Sequence, residues 1–119
     1  MQFLLLIYGN EAYFGKLSKA EQAKVSEEYG AYTKSIAESG HLRSGNELAP
    51  TEKAMTIRMR KGKRSVTDGP FAETKEQLGG YYLIEAKDVE EAAELAARIP
   101  SVRWGAIEVR PIIPHEMPM

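Results

Sequence analysis

Phe3 to Tyr8 is an almost unbroken apolar run. In so short a stretch, with both alternating sets apolar, it predicts a central strand covered on both faces. Gly9-Asn10-Glu11 opens a loop, and Ser18-Lys19-Ala20-Glu21 has the Ser-x-x-Glu form of a capping box, so a helix is predicted to begin there. Val25, Tyr29, Tyr32 and Ile36 recur at spacings of four, three and four, marking its buried face, and Gly40 supplies a left-handed stop. From His41 to Lys53 the pattern is weak and broken by Gly45, Asn46 and Pro50, leaving room for a short strand at most. Met55, Ile57 and Met59 then alternate with Thr56, Arg58 and Arg60, the period of a half-buried strand, and Lys61-Gly62-Lys63 turns the chain back. Tyr81 to Ile84, released by Gly79-Gly80, is apolar or aromatic on both sides. Asp88 caps a second helix whose predicted buried stripe is Val89, Ala92, Ala93, Ala96 and Ile99, with Pro100 as its end. The last strand is predicted over Gly105 to Ile112, with Ile107 and Val109 opposite Glu108 and Arg110.

The order β, α, several β, α, β predicts a ferredoxin-like α+β sandwich: a mainly antiparallel sheet with two helices on one face, in a single domain over residues 1–119. Two helices cover one face only, while two strands are greasy on both. A second copy of the chain is the expected cover, giving a barrel-like homodimer with any ligand cleft between sheet and partner or between sheet and loops.

Composition narrows the chemistry. With no cysteine there is neither a disulfide nor a thiol nucleophile, and the two histidines, His41 and His115, are too far apart in sequence for zinc-type spacing. Sixteen Lys and Arg against seventeen Asp and Glu leave a net charge of -1, which gives no global pull toward nucleic acid or an anionic membrane. The opening apolar run has no basic segment before it and no small-residue cleavage site after it, so a cytoplasmic protein is expected. Dinucleotide, P-loop and nucleophile-elbow motifs are absent, and no cofactor is expected.

Candidate site residues come in four groups. Asp68-Gly69-Pro70-Phe71 reads first as a turn, since Asp, Gly and Pro are the residues turns require; read functionally, Asp68 is a pocket carboxylate. The polar segment after it carries Glu73 and Lys75 and could fold over the mouth of the sheet, with Lys75 neutralising an anionic ligand or forming only solvated pairs. Arg58 shares a strand face with Arg60 in a basic hairpin, placed either to grip a carboxylate or phosphate or to discourage edge aggregation. Glu108 and Arg110 share a face and could line the cavity or pair across a dimer. Tyr8, Tyr81 and Tyr82 read as core residues or as phenols in a cleft.

The segment Asp68-Gly69-Pro70-Phe71-Ala72-Glu73-Thr74-Lys75-Glu76-Gln77-Leu78-Gly79-Gly80-Tyr81-Tyr82-Leu83-Ile84-Glu85 resembles the signature of the DGPF-domain branch of the YCII-related family. The opening FLLLIYGNEA, the pair Tyr29-Gly30, the approach Val66 to Gly69 and the closing Ala106 to Pro111 agree with it. The resemblance implies a dimeric α+β barrel. The expected site is a small pocket bounded by the sheet and the Asp68 to Gly80 loop that binds a small polar or anionic organic ligand; for an enzyme, the resemblance points toward cofactor-free proton transfer or elimination with Asp68 or Glu73 as base and Lys75 or Arg58 holding the anion. Relatives proposed as enzymes pair a histidine near the first helix with an aspartate; Ser18 to Ser39 contains no histidine, so that dyad does not carry over. Because DGPF proteins are encoded beside extracytoplasmic-function sigma factors, the alternative implied is a non-catalytic regulatory or interaction module.

Overall fold

Strand β1 (Gln2–Gly9) lies inside a four-stranded antiparallel sheet with β5 (Gln77–Glu85) on one side and β6 (Ala106–Pro111) on the other; β2 (Leu42–Glu47) adds to the far edge of β5. The order β2-β5-β1-β6, with α2 (Lys19–Glu38) and α3 (Val89–Ala97) on one face, is the ferredoxin-like arrangement. A hairpin of β3 (Met55–Arg60) and β4 (Lys63–Asp68), inserted between β2 and β5, forms a separate two-stranded sheet. The computed structural model describes residues 1–115. None of its helices among the described residues is long and apolar enough to cross a membrane.

The pleat of β1 sets the layers. Phe3 and Leu5 point toward the helices and are fully buried with Ile84, Ile36 and Ile99. Their cross-strand partners, Ile84 and Tyr82 on β5 and Val109 on β6, complete the sheet's side of the core. From the helices, Tyr32 and Ile36 of α2 and Ala92, Leu95 and Ala96 of α3 fill the other side. The Tyr32 hydroxyl donates to the Leu95 carbonyl at 2.8 Å, tying the helices together while satisfying a buried phenol.

Local signals explain most element boundaries. The Ser18 capping box is formed reciprocally with Glu21, at 3.1 and 3.0 Å, and Gly40 ends the helix at φ 83°. Three expectations change. Asn10 does not simply open a loop: its side chain caps a five-residue helix α1 (Glu11–Gly15), too short for periodicity to reveal. In α3 the buried stripe runs through Leu95, while Val89 and Ala93 lie outside it and are exposed. The strand Met55–Arg60 forms, but Met55, Ile57 and Met59 are 61%, 61% and 62% exposed, because the hairpin stands off the sandwich and its own chain offers nothing to cover them.

On the helix-free face two rows of side chains cross the sheet: Asn46, Tyr81, Leu6 and Glu108, then Ser44, Leu83, Leu4 and Arg110. An apolar centre is thus flanked by polar edges. The molecule spans 48 × 46 × 18 Å, and its short dimension holds one sheet and one helix layer.

Candidate functional site

A cleft of about 980 Å³ opens between α2 and the sheet, at the end where β1 finishes and β5 begins. Its sheet wall is built on small residues. Gly45 of β2 lies under the Tyr82 ring, where an added Cβ would come within 2.8 Å of Tyr82 Cδ1, and a Cβ on Gly80 would come within 2.9 Å of the Asn46 carbonyl oxygen. Glycine at both positions lets the aromatic ring and the neighbouring strand close in. Gly79 is the extra residue on β5 that shifts its register against β1 between Ile7 and Tyr8, beside the cleft.

Hydroxyls from three elements meet on the cleft's inner side. Thr33 of α2 and Tyr82 of β5 share a 2.6 Å hydrogen bond, and Tyr29 of α2 shares a short one with Ser101, a residue only 3% exposed in the turn after α3. Burial pushes the phenols of Tyr29 and Tyr82 above the ordinary tyrosine range, so both stay protonated and able to donate near neutrality. At the mouth, Glu11 accepts from the Thr51 backbone N–H and hydroxyl, each at 2.9 Å, while the Glu11 N–H donates to Gln77 Oε1 at 3.0 Å. The starts of α1 and β5 and the turn at Thr51 are pinned around the opening by this set. Glu47 also lines the cleft, beside Tyr29, and its carboxylate has no hydrogen-bond or ion-pair partner among the described residues. Phe14, Val25, Leu42 and Leu48 supply apolar wall, and no Lys, Arg or His occurs among the described residues lining the cleft.

The residues singled out from sequence fall in three places. Tyr8 and Tyr81 border the cleft. Tyr8, Glu108 and Arg110 also meet on the helix-free face: Arg110 Nη2 donates to Glu108 Oε2 at 2.6 Å and the Tyr8 hydroxyl reaches Glu108 Oε1 at 3.4 Å. The Arg110 guanidinium holds the Glu108 carboxyl below its usual range. Tyr81 stands on the same face and accepts from Asn46 Nδ2 at 2.9 Å. Asp68, Glu73, Lys75 and Arg58 are exposed and lie outside the cleft lining. Gly69 adopts φ 98°, and its N–H donates to the Ala54 carbonyl at 2.7 Å, closing the base of the hairpin. Thr74 and Gln77 bond the loop to itself, at 2.5 and 2.6 Å. Among the described residues no group of three His, Asp or Glu side chains is placed to hold a metal ion.

Sequence reasoning did not find Thr33, Glu47, Gln77 and Ser101 as site residues. Glu47 sits in the stretch with the weakest pattern. Thr33 and Ser101 become neighbours of the tyrosines only through tertiary packing. The usable signal was the run of glycines, 45, 79 and 80, inside strands, which marks close backbone approach.

Comparison with known proteins agrees with this architecture. The YCII-related domain matches residues 1–116. An uncharacterised protein of Rhizobium meliloti (strain 1021) is 37% identical over 123 residues, covering 99% of each chain. With its antiparallel sheet, its two packed helices and a match over almost its whole length, the chain belongs to the YCII-related domain family.

Proposed function

We propose that this protein binds a small organic molecule in the cleft between α2 and the sheet, and that the molecule is neutral or cationic. The observation that carries the reading is the charge and hydrogen-bond inventory of the walls: hydroxyls from buried Tyr82 and Ser101 and half-buried Tyr29 and Thr33, an exposed and unpartnered Glu47 carboxylate and no cation among the described lining residues. An anionic ligand would meet Glu11 and Glu47 without a counter-charge. A volume of about 980 Å³ suits a metabolite-sized ligand, apolar on one side and bearing groups that pair with phenols on the other. Glu47 is the carboxylate placed to accept a proton or hold an ammonium there.

Placement within the DGPF branch rests on the segment Asp68 to Glu85. The apolar centre of the helix-free face, Leu4, Leu6 and Leu83, supports a homodimer in which two sheets pack face to face.

The ligand reading is tested by ligand-observed NMR with size-matched amines, polyols and carboxylates. Amines and polyols are expected to bind the wild type. Ser26→Trp, on the exposed side of α2 at the cleft wall, should abolish both, and Glu47→Gln should weaken the amines alone. Carboxylates binding best, or hits indifferent to Ser26→Trp, would refute the assignment.

A further inference from the structure

The β3–β4 hairpin has no structural reason to stand where it does unless something covers it. Its strands pair only with each other, and of their twelve residues only Thr56 is not exposed. A lone two-stranded hairpin is marginally stable in water. One face carries Met55, Ile57, Met59 and, from β4, Val66, which is 50% exposed, with their cross-strand partners Asp68 at the base and Arg64 near the tip; the other carries Thr56, Arg58, Arg60, Lys63, Ser65 and Thr67. Four large apolar side chains, with Arg64 and Asp68 at the two ends of their face, therefore lie open on an element that contributes nothing to the core. The hairpin also changes the shape of the molecule: the radius of gyration is 16.4 Å, against about 13.5 Å for a compact chain of this length.

Charge points to the occupant. Five of the sixteen basic residues (Arg58, Arg60, Lys61, Lys63 and Arg64) and one of the seventeen acids, Asp68, fall between Met55 and Asp68, so the hairpin carries +4 and the rest of the chain −5. The near-neutral total conceals a molecule with a basic arm and an acidic body. An arm of six residues per strand reaches about 20 Å, and a four-stranded sheet is about 14 Å across between its outer strands, so the arm is long enough to span one.

We infer that the hairpin is an exchanged arm: it reaches past its own sheet and lays Met55, Ile57, Met59 and Val66 on the acidic body of a second copy of this chain. The inference rests on the dimer reading above and adds the element that holds the dimer closed. Symmetry makes the contact reciprocal, so each body is gripped by the other's arm and every interface substitution counts twice.

The absence of native cysteine gives a clean probe. Sedimentation measures the dimer dissociation constant of the wild type and of Ile57→Asp/Met59→Asp. In parallel, the maleimide labelling rate of Ile57→Cys is followed from nanomolar to high micromolar protein. Ile57→Cys should label quickly when dilute and at least ~10-fold more slowly when dimeric. The double aspartate variant should weaken the dimer by ~100-fold or more, with an unchanged far-ultraviolet circular dichroism spectrum because the core does not use these residues. A wild-type dimer whose constant is untouched by the double variant, with Ile57→Cys labelling at one rate throughout, overturns the arm and leaves the dimer standing. A wild-type monomer at high micromolar concentration overturns both. So does a monomer that binds anionic vesicles or duplex DNA through the arm.

Discussion

The hydrogen bond between Tyr29 and Ser101 clamps the middle of α2 to the turn that follows α3, and its contribution can be isolated by a double-mutant cycle. Ser101 is 3% exposed, so a hydroxyl left there without a partner cannot be rescued by solvent. Tyr29→Phe strands that hydroxyl and should cost about 1–3 kcal/mol; Ser101→Ala strands a half-buried phenol and should cost about 1–2 kcal/mol. Removing both leaves nothing unpaired, so the double variant should lose less than the sum, with a coupling energy of about 1 kcal/mol. For a chain of 119 residues the unfolding entropy is about 0.25 kcal/mol/K, so each kcal/mol lowers Tm by about 4 °C. Urea unfolding of the four proteins, followed by circular dichroism, measures the cycle. Single-variant losses that add to within about 0.3 kcal/mol would refute the clamp.

Two further outcomes follow from packing and from charge. A Cβ at Gly105 would lie 2.1 Å from the Tyr8 carbonyl oxygen, a backbone atom held in the β1–β6 ladder, so Gly105→Ala should cost about 3 kcal/mol in urea unfolding; Gly30, within α2 and with nothing within 4 Å, should instead gain about 1 kcal/mol as alanine, and equal effects at both sites would contradict the geometry. The carboxyl of Glu21, held low by its bond to the Ser18 backbone, and that of Glu108, held low by Arg110, are both depressed in the folded state from a reference of 4.5, so their stabilisation is present above that pH and disappears as pH falls through the folded values; thermal scans between pH 7 and 3 should show Tm declining on the acid side, less steeply in Glu21→Gln, and a Tm that holds flat would count against both pairs.

Much of the architecture was legible because it rests on local rules. The two-sided runs Phe3 to Tyr8 and Tyr81 to Ile84 became neighbouring strands, and the Ser18 box and Gly40 bounded α2. Where reading failed, the deciding information was not local. The alternation of Met55, Ile57 and Met59 correctly gave a strand, but periodicity reports which residues share a face, not whether the chain itself supplies something to cover it. The cleft, too, is not a local feature. Asp68, Glu73 and Lys75 stand out in sequence as a polar block; Asp68 ends β4 and the other two follow on an exposed loop, while the cleft is assembled from single polar residues scattered over α2, β2, β5 and the turn after α3. Thr33 and Ser101 are ordinary residues in sequence; a fold that brings them onto Tyr82 and Tyr29 gives them their role.

The point at which the hairpin joins the sandwich also governs what the fold tolerates. Strands β2 and β5 are sheet neighbours, and the Leu48 N–H still donates to the Gly79 carbonyl at 2.9 Å just before the chain departs. Residues 48–76 therefore leave and return at adjacent positions, so the ladder is already sealed beneath them. Beyond Thr51, which is bonded to Glu11 of α1, lengthening, trimming or replacing that excursion asks nothing of α2 and α3. Descent can rework the outer loop while the four strands below it stay in register.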